Sequence, residues 1–306
     1  MAIDLTTTTY QPKRELDFFT KLMFNNKTSE HVRIIPNVKY ETLLNISDIT
    51  DDLLQFDGAG VDCGWTPSGD VKFSERVLKV VPFKINFEQC LKDFEGTWLG
   101  EAMKPGANLG EMPIEANEQI VFLLGKKIGK EIENKVWNAV ASATSNDGFL
   151  NILATATDTN AVAGVSLTKA NVLGEMEKVY LAQTADVIGG SQEGNLKFYV
   201  GTLTSQIIRL ALGDASNQTI ASNWVADANG LKYMGYDVVA LNAIPANTIV
   251  FANQTNLAYG TDLISDETEL KIGMFPEPNE DMYFAKGRLK LGVQVGFPDE
   301  VVYYHS

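Results

Sequence analysis

His31 and His305 are the two histidines of this 306-residue chain, and they stand far apart without carboxylate or cysteine partners at ligand spacing. A zinc site or a histidine-dependent triad needs such partners, so neither is expected, and both histidines read as ordinary surface or terminal residues. Cys63 and Cys90 are too few for a disulfide scaffold or a cysteine-rich metal site; they fit a reducing compartment, with a single Cys63–Cys90 bridge left open. The run Gly58-Ala-Gly60-Val-Asp-Cys-Gly64 has the glycine density of a dinucleotide loop. Its third glycine comes one position late and no strand–turn–helix surrounds it, so it reads as a loop tip. Gly125-Lys-Lys-Ile-Gly129-Lys130 lacks phosphate-loop spacing and sits inside a helical pattern, where the glycines suit close packing of another element.

The carboxylates are no more suggestive. Asp48, Asp51, Asp52, Asp57 and Asp62 lack the alternation of a calcium loop and read as a solvated face. Asp262, Asp266, Glu267, Glu269, Glu277, Glu280 and Asp281 read as surface charge rather than as paired acid–base groups. Trp65, Trp98, Trp137 and Trp224 are scattered, as packing anchors are, and form no base-stacking platform. No catalytic, cofactor-binding or metal residue is assigned, no cofactor is implied, and an enzyme is not expected.

Composition agrees with a folded, globular chain. With 45% hydrophobic and 21% charged residues it can bury one large core or two moderate ones, and its net charge of −14 opposes sequence-independent binding to phosphate polyanions. Asp4 stands where a secretory signal would carry positive charge, and no run approaches the roughly 18 apolar residues of a membrane span. A soluble protein made in the cytoplasm, with no membrane partner, is expected.

The elements that would carry these residues are unusually long. Residues 114–143 place Val121, Leu124, Ile128, Ile132, Val136, Ala139 and Ala143 on one helix face, with Lys126, Lys127, Lys130, Glu131 and Glu133 opposite. That predicts a helix of about 45 Å, begun at Pro113 and ended by Asn146 to Gly148. Residues 283–297 alternate Ala285, Leu289, Leu291, Val293, Val295 and Phe297 with Lys286, Arg288, Lys290 and Gln294, a strand of about 40 Å. Residues 56–70 are rich in Gly, Asp and Pro between residues 44–54 and the alternating run 71–87, which predicts a two-stranded excursion, with Pro82 marking an edge strand or a bend. Leu16, Phe19, Leu22 and Met23 suit a short helix in an N-terminal arm. Residues 142–166, rich in Ala, Thr and Asn, read as a crossing to a second, α+β unit. It would hold helices at 168–184 and 204–212, a strand at 196–200, a polar loop at 214–230, and a strand pair, 237–241 with 248–252, around Asn242, Pro245 and Asn247.

The order of these parts resembles the major capsid proteins of tailed bacteriophages, the Hong Kong ninety-seven type of capsid fold. The resemblance is carried by Thr66-Pro-Ser-Gly-Asp-Val-Lys-Phe-Ser74, a helix ending near Val136-Trp-Asn-Ala139, Gly235-Tyr-Asp-Val-Val-Ala-Leu-Asn-Ala-Ile-Pro-Ala-Asn-Thr248, and Gly287-Arg-Leu-Lys-Leu-Gly-Val-Gln-Val295 followed by Pro298-Asp-Glu-Val-Val302. It implies an N-terminal arm at 1–44, an extended β-hairpin (the E-loop) at 45–80, a peripheral domain with the spine helix at 81–150, an axial domain at 151–260, and a return to the peripheral domain with the long strand and a C-terminal strand at 261–306. The implied function is self-assembly into hexamers and pentamers of an icosahedral shell that encloses double-stranded DNA without reading its sequence. The implied location is the virion capsid, assembled in the host bacterial cytoplasm. Because the arm begins almost at Met1, a separate scaffolding protein is implied, beside a portal and a decoration protein. Some members cross-link through a lysine, an asparagine and a glutamate; the matching places here hold Thr66, Asn279 and Lys286, so no isopeptide bond is expected. The rival readings are an encapsulin-like bacterial nanocompartment shell that packages cargo enzymes, and a soluble α+β enzyme with its site at 214–230.

Overall fold

The computed structural model describes residues 27–50, 70–90, 114–142, 145–190, 195–213, 230–262, 271–274 and 282–306. The short helix expected at Leu16–Met23, the glycine-rich tip and the polar loop at 214–229 lie outside them. The described elements are α+β, as expected.

The long strand is β12 (Met282–Val295), 14 residues that span about 46 Å. One side pairs along ten residues with β4 (Val81–Cys90), from Met282 opposite Cys90 to Leu291 opposite Val81. The other side pairs end to end with β10 (Leu257–Thr261) and β11 (Lys271–Met274), and β1 (Arg33–Ile35) extends β10 in parallel. Ala285, Leu289, Leu291, Val293 and Val295 are buried while Lys286 and Arg288 are exposed, the alternation of a sheet with one face on a core. Pro82 sits on β4, whose only described strand neighbour is β12. An edge strand tolerates the missing N–H donor.

Helix α1 (Ile114–Asn138) lies against this sheet with Ile128, Ile132, Val136 and Trp137 buried. Its 25 residues span about 37 Å, shorter than the expected run to Ala143. The reason is local. Asn146 Nδ2 donates to the Lys135 carbonyl at 3.0 Å, and the Gly148 amide donates to the Ala139 carbonyl at 2.8 Å. These bonds occupy carbonyls that a further helical turn would have used. A Cβ on Gly148 would stand 2.7 Å from the Trp137 carbonyl oxygen, so glycine lets the chain fold back this closely.

The expected crossing at 142–166 is instead structured. It contains α2 (Phe149–Thr155), whose Phe149, Leu150 and Leu153 are buried, and β5 (Asn160–Ala163), which pairs in parallel with β13 (Val302–His305). Three apolar residues in one turn and a half suffice to hold a helix this short against a ready-made core, although the surrounding Ala and Thr residues hide the pattern.

A six-stranded sheet follows the order β5-β13-β9-β6-β8-β7, with β6 (Leu196–Gly201), β7 (Leu231–Tyr233), β8 (Tyr236–Leu241) and β9 (Ile249–Asn253). The anticipated strand pair is not a pair: β6 lies between β8 and β9 and bonds to both. The connecting loop therefore passes over the end of β6. There a Cβ on Gly201 would meet the Ile244 carbonyl oxygen at 2.7 Å. Leu196, Phe198 and Val200 face α3 (Val172–Leu181) and α5 (Thr202–Leu212), while Tyr199 enters the core shared with α1 and β12. Helix α4 (Ala185–Gly190) completes the described helices. Helix α3 starts at Val172 rather than at 168, because Asn171 Oδ1 accepts the Thr168 amide at 2.7 Å and closes a turn there.

The hairpin consists of β2 (Glu41–Thr50) and β3 (Asp70–Lys79), paired residue for residue from Glu41–Lys79 to Thr50–Asp70. The alternating run 71–87 is thus two strands that part at Val80, whose amide donates to the Tyr40 carbonyl at 2.9 Å. Leu78 and Val80 are buried over Gly260 and Gly292, which face each other across β10 and β12. A Cβ on Gly292 would stand 2.1 Å from the Lys79 carbonyl oxygen, and one on Gly260 would stand 2.9 Å from Leu78 Cδ2. This glycine pair forms the seat of the hairpin.

Candidate assembly surfaces

One-to-one pairing puts Leu43 opposite Val77, Ser47 opposite Phe73, and Ile49 opposite Val71, all on one face of the ribbon. Leu43, Val71, Phe73 and Val77 are exposed, Phe73 at 79%. A two-stranded ribbon cannot cover such a face by itself, and an exposed apolar patch marks a surface that another body covers. At the base the ribbon is held firmly. Gln294 Nε2 donates to the Val77 carbonyl at 2.9 Å, and the Val38 amide donates to the Thr261 carbonyl at 3.2 Å.

Asp262 corrects the expectation of surface charge. It is 3% exposed and its carboxylate lies 3.1 Å from Lys39 Nζ and 2.9 Å from Lys290 Nζ. Lys290 Nζ also donates to the Lys39 carbonyl at 3.0 Å. A buried carboxylate is tolerated because two cations neutralise it, and the cluster ties the strap leading into the hairpin to β12. Nothing in the local sequence distinguishes Asp262 from its acidic neighbours; only its adjacency to buried Thr261 at the end of β10 hints at burial.

The 3-10 turn Lys27–His31 bridges α1 and the six-stranded sheet. Trp137 Nε1 donates to Thr28 Oγ1 at 3.0 Å, and Thr28 Oγ1 donates to Glu133 Oε1 at 3.2 Å. Glu133, expected on the solvent side, is buried, and burial raises its carboxyl pKa. At the other end, the Tyr199 hydroxyl donates to the His31 carbonyl, and Lys197 Nζ lies 3.3 Å from His31 Nδ1 and 2.7 Å from Gln254 Oε1. His31 is half-buried rather than a surface residue, and burial followed by the Lys197 charge lowers its pKa. His305 is exposed. Trp137 is a packing anchor, 5.2 Å from Phe149 and 5.6 Å from Tyr199 between ring centroids.

The remaining candidates are dispersed. Phe122 on α1 and Leu203 and Leu210 on α5 are exposed apolar residues. Gly125 is buried and Gly129 half-buried. Lys286 is exposed on β12, its Nζ 5.7 Å from the Phe284 ring; Thr66 and Asn279 lie outside the described residues. Cys90 is a free, half-buried thiol, and Cys63 lies outside the described residues. So do Asp51, Asp52, Asp57 and Asp62, the carboxylates from Asp266 to Asp281, and Trp65, Trp98 and Trp224. Among the described residues no group of three or more His, Cys, Asp or Glu could hold a metal ion, and no helix is long and apolar enough to cross a membrane.

No protein-family model matches the chain, and no curated protein matches it. Solved structures do. The capsid of a native GTA particle aligns over 92% of this chain and 90% of that one, at 11% identity and a TM-score of 0.62. The procapsid of satellite phage P4, which includes a size determination protein, aligns over 94% and 97%, at 12% identity and a TM-score of 0.55. A chain of Gordonia phage Cozz aligns over 92% and 86%, at 10% identity and a TM-score of 0.58. Nearly the whole length is shared in each case, so the chain has the tailed-phage major capsid fold.

Proposed function

We propose that this chain is a major capsid subunit that self-assembles into hexamers and pentamers of an icosahedral shell enclosing double-stranded DNA. The observation that carries the reading is the exposed apolar face of the hairpin, Leu43, Val71, Phe73 and Val77, held out from a firmly seated base in a chain with a capsid fold. Among the described residues nothing covers that face, and a neighbouring subunit would. Full burial of such a side chain is worth about 1.5–3 kcal/mol, and covering the part still exposed here yields a fraction of that, so many weak contacts repeated around a shell suffice to close it. The role is structural, without a catalytic step. Stability of the shell comes from burial rather than from an isopeptide bond, because the places matching the family's cross-link hold Thr66 and Lys286 beside Asn279. The net charge of −14 fits a container that encloses its genome without gripping phosphates.

A separate scaffolding protein, a portal and a decoration protein are the partners this reading implies, with assembly in the host bacterial cytoplasm and a final place in the virion. Negative-stain electron microscopy and light scattering on the purified chain, alone and coexpressed with the scaffold, test it. Closed polyhedral particles, or hexamers and pentamers that convert to them, are expected. A monomer or dimer under every condition would overturn the reading.

A further inference from the structure

The turn Lys27–His31 is fastened at both ends by different chemistry. The Thr28 end sits on α1 through neutral donors and the Glu133 carboxyl. The His31 end sits on β6, where Lys197 Nζ lies 3.3 Å from His31 Nδ1, a contact that a neutral ring protonated at Nε2 accepts, and the His31 carbonyl accepts from Tyr199. We infer that His31 is a proton-operated latch, which fastens this end of the turn to the six-stranded sheet while neutral and loosens it when protonated, leaving the Tyr199 bond to its carbonyl and the Thr28 end on α1.

The charged groups facing His31 come from three elements and its own turn. Lys197 on β6 and Lys27 in the turn oppose protonation, Glu30 in the turn and Asp237 on β8 favour it, and Lys232 on β7 lies 3.6 Å from Asp237. Burial and Lys197 outweigh the carboxylates, so the folded chain favours the neutral ring. A proton on Nδ1 removes the acceptor and sets two cations 3.3 Å apart. The sign follows: a folded-state pKa below the ordinary 6.5 gives a stabilising contribution that is full above that value and fades as pH falls through it toward the lowered one. Glu133 runs the other way. Its pKa is raised because burial outweighs the Thr28 hydrogen bond, which favours the charged form. Protonating Glu133 as pH falls therefore does not destabilise the fold, and the Trp137 donor to Thr28 does not titrate. The loosened end continues directly into β1 and the strap that enters the hairpin, so the latch couples solution pH to the freedom of the hairpin's root.

The inference stands apart from the capsid reading, because its test needs only the folded chain in whatever state of association it adopts. Hydrogen exchange read by mass spectrometry, corrected for the intrinsic pH dependence of exchange, is compared at about pH 7.5 and about pH 5.5. In the natural chain, peptides covering residues 27–35 are expected to lose protection about threefold or more at the lower pH, while peptides of residues 128–138 do not. His31→Gln, which keeps a neutral acceptor, is expected to abolish the response. An unchanged natural chain, or a His31→Gln chain with the same response, would overturn the latch. If His31→Gln fails to fold, Lys197→Met decides: a diminished response supports the latch, and a full response overturns it.

Discussion

The hairpin and the six-stranded sheet are both built of alternating strands, yet they bury their residues in opposite ways. In β6 every residue is buried, because helices cover one face and the core shared with α1 and β12 covers the other. In β3 only Leu78 is buried, at the seat on Gly260 and Gly292, and every other residue except half-buried Arg76 is exposed. Strand-forming sequence therefore does not by itself say where the partner surface lies. In the sheet it is the chain's own helices, whereas none of the described residues covers the hairpin's apolar face.

Changes in the sheet should be felt by the isolated chain. Phe198→Ala removes a fully buried ring stacked 4.0 Å from Phe251, and should lower stability by about 3–5 kcal/mol in denaturant unfolding of the unassembled chain. Where the two regions meet, effects should be intermediate. Gly292→Ala forces a methyl against the Lys79 carbonyl, should cost about 1–3 kcal/mol, and should raise hydrogen exchange at residues 77–80 before it affects β6. Asp262→Asn leaves Lys39 and Lys290 facing a neutral amide; a loss of about 1.5–3 kcal/mol is expected, read from the midpoint of thermal unfolding. Phe73→Ser should change the stability of the unassembled chain by no more than about 0.5 kcal/mol, because the ring is already solvated, while particle formation by light scattering falls sharply. A large destabilisation by Phe73→Ser would erase the contrast between the two regions.

Long-period features were legible in the sequence, and short-range returns of the chain were not. The face Ile128, Ile132 and Val136 and the alternation through Val295 gave both long elements correctly, since a repeated period survives local noise. The end of α1 was missed by periodicity because the stop is made by Asn146 and Gly148, which act from across a turn. The pairing of β8 with β9 was misread because sequence adjacency favours hairpins, and only the clearance at Gly201 shows that the loop steps over an intervening strand. Gly260 and Gly292, each inside a strand, are the signal of close backbone approach that the sequence reading passed over. Asp262, Glu133 and His31 owe their burial to partners more than a hundred residues distant or, for Lys290, 28 residues away, and no local pattern records those contacts.

The most direct measurement is hydrogen exchange of the hairpin and of β6 and β9 in one preparation, before and after conversion to particles. The account predicts that amides of Glu41–Thr50 and Asp70–Lys79 slow by about tenfold or more in particles, while those of β6 and β9 keep the protection they already have. Hairpin amides that exchange equally fast in closed particles and in the free chain would contradict it.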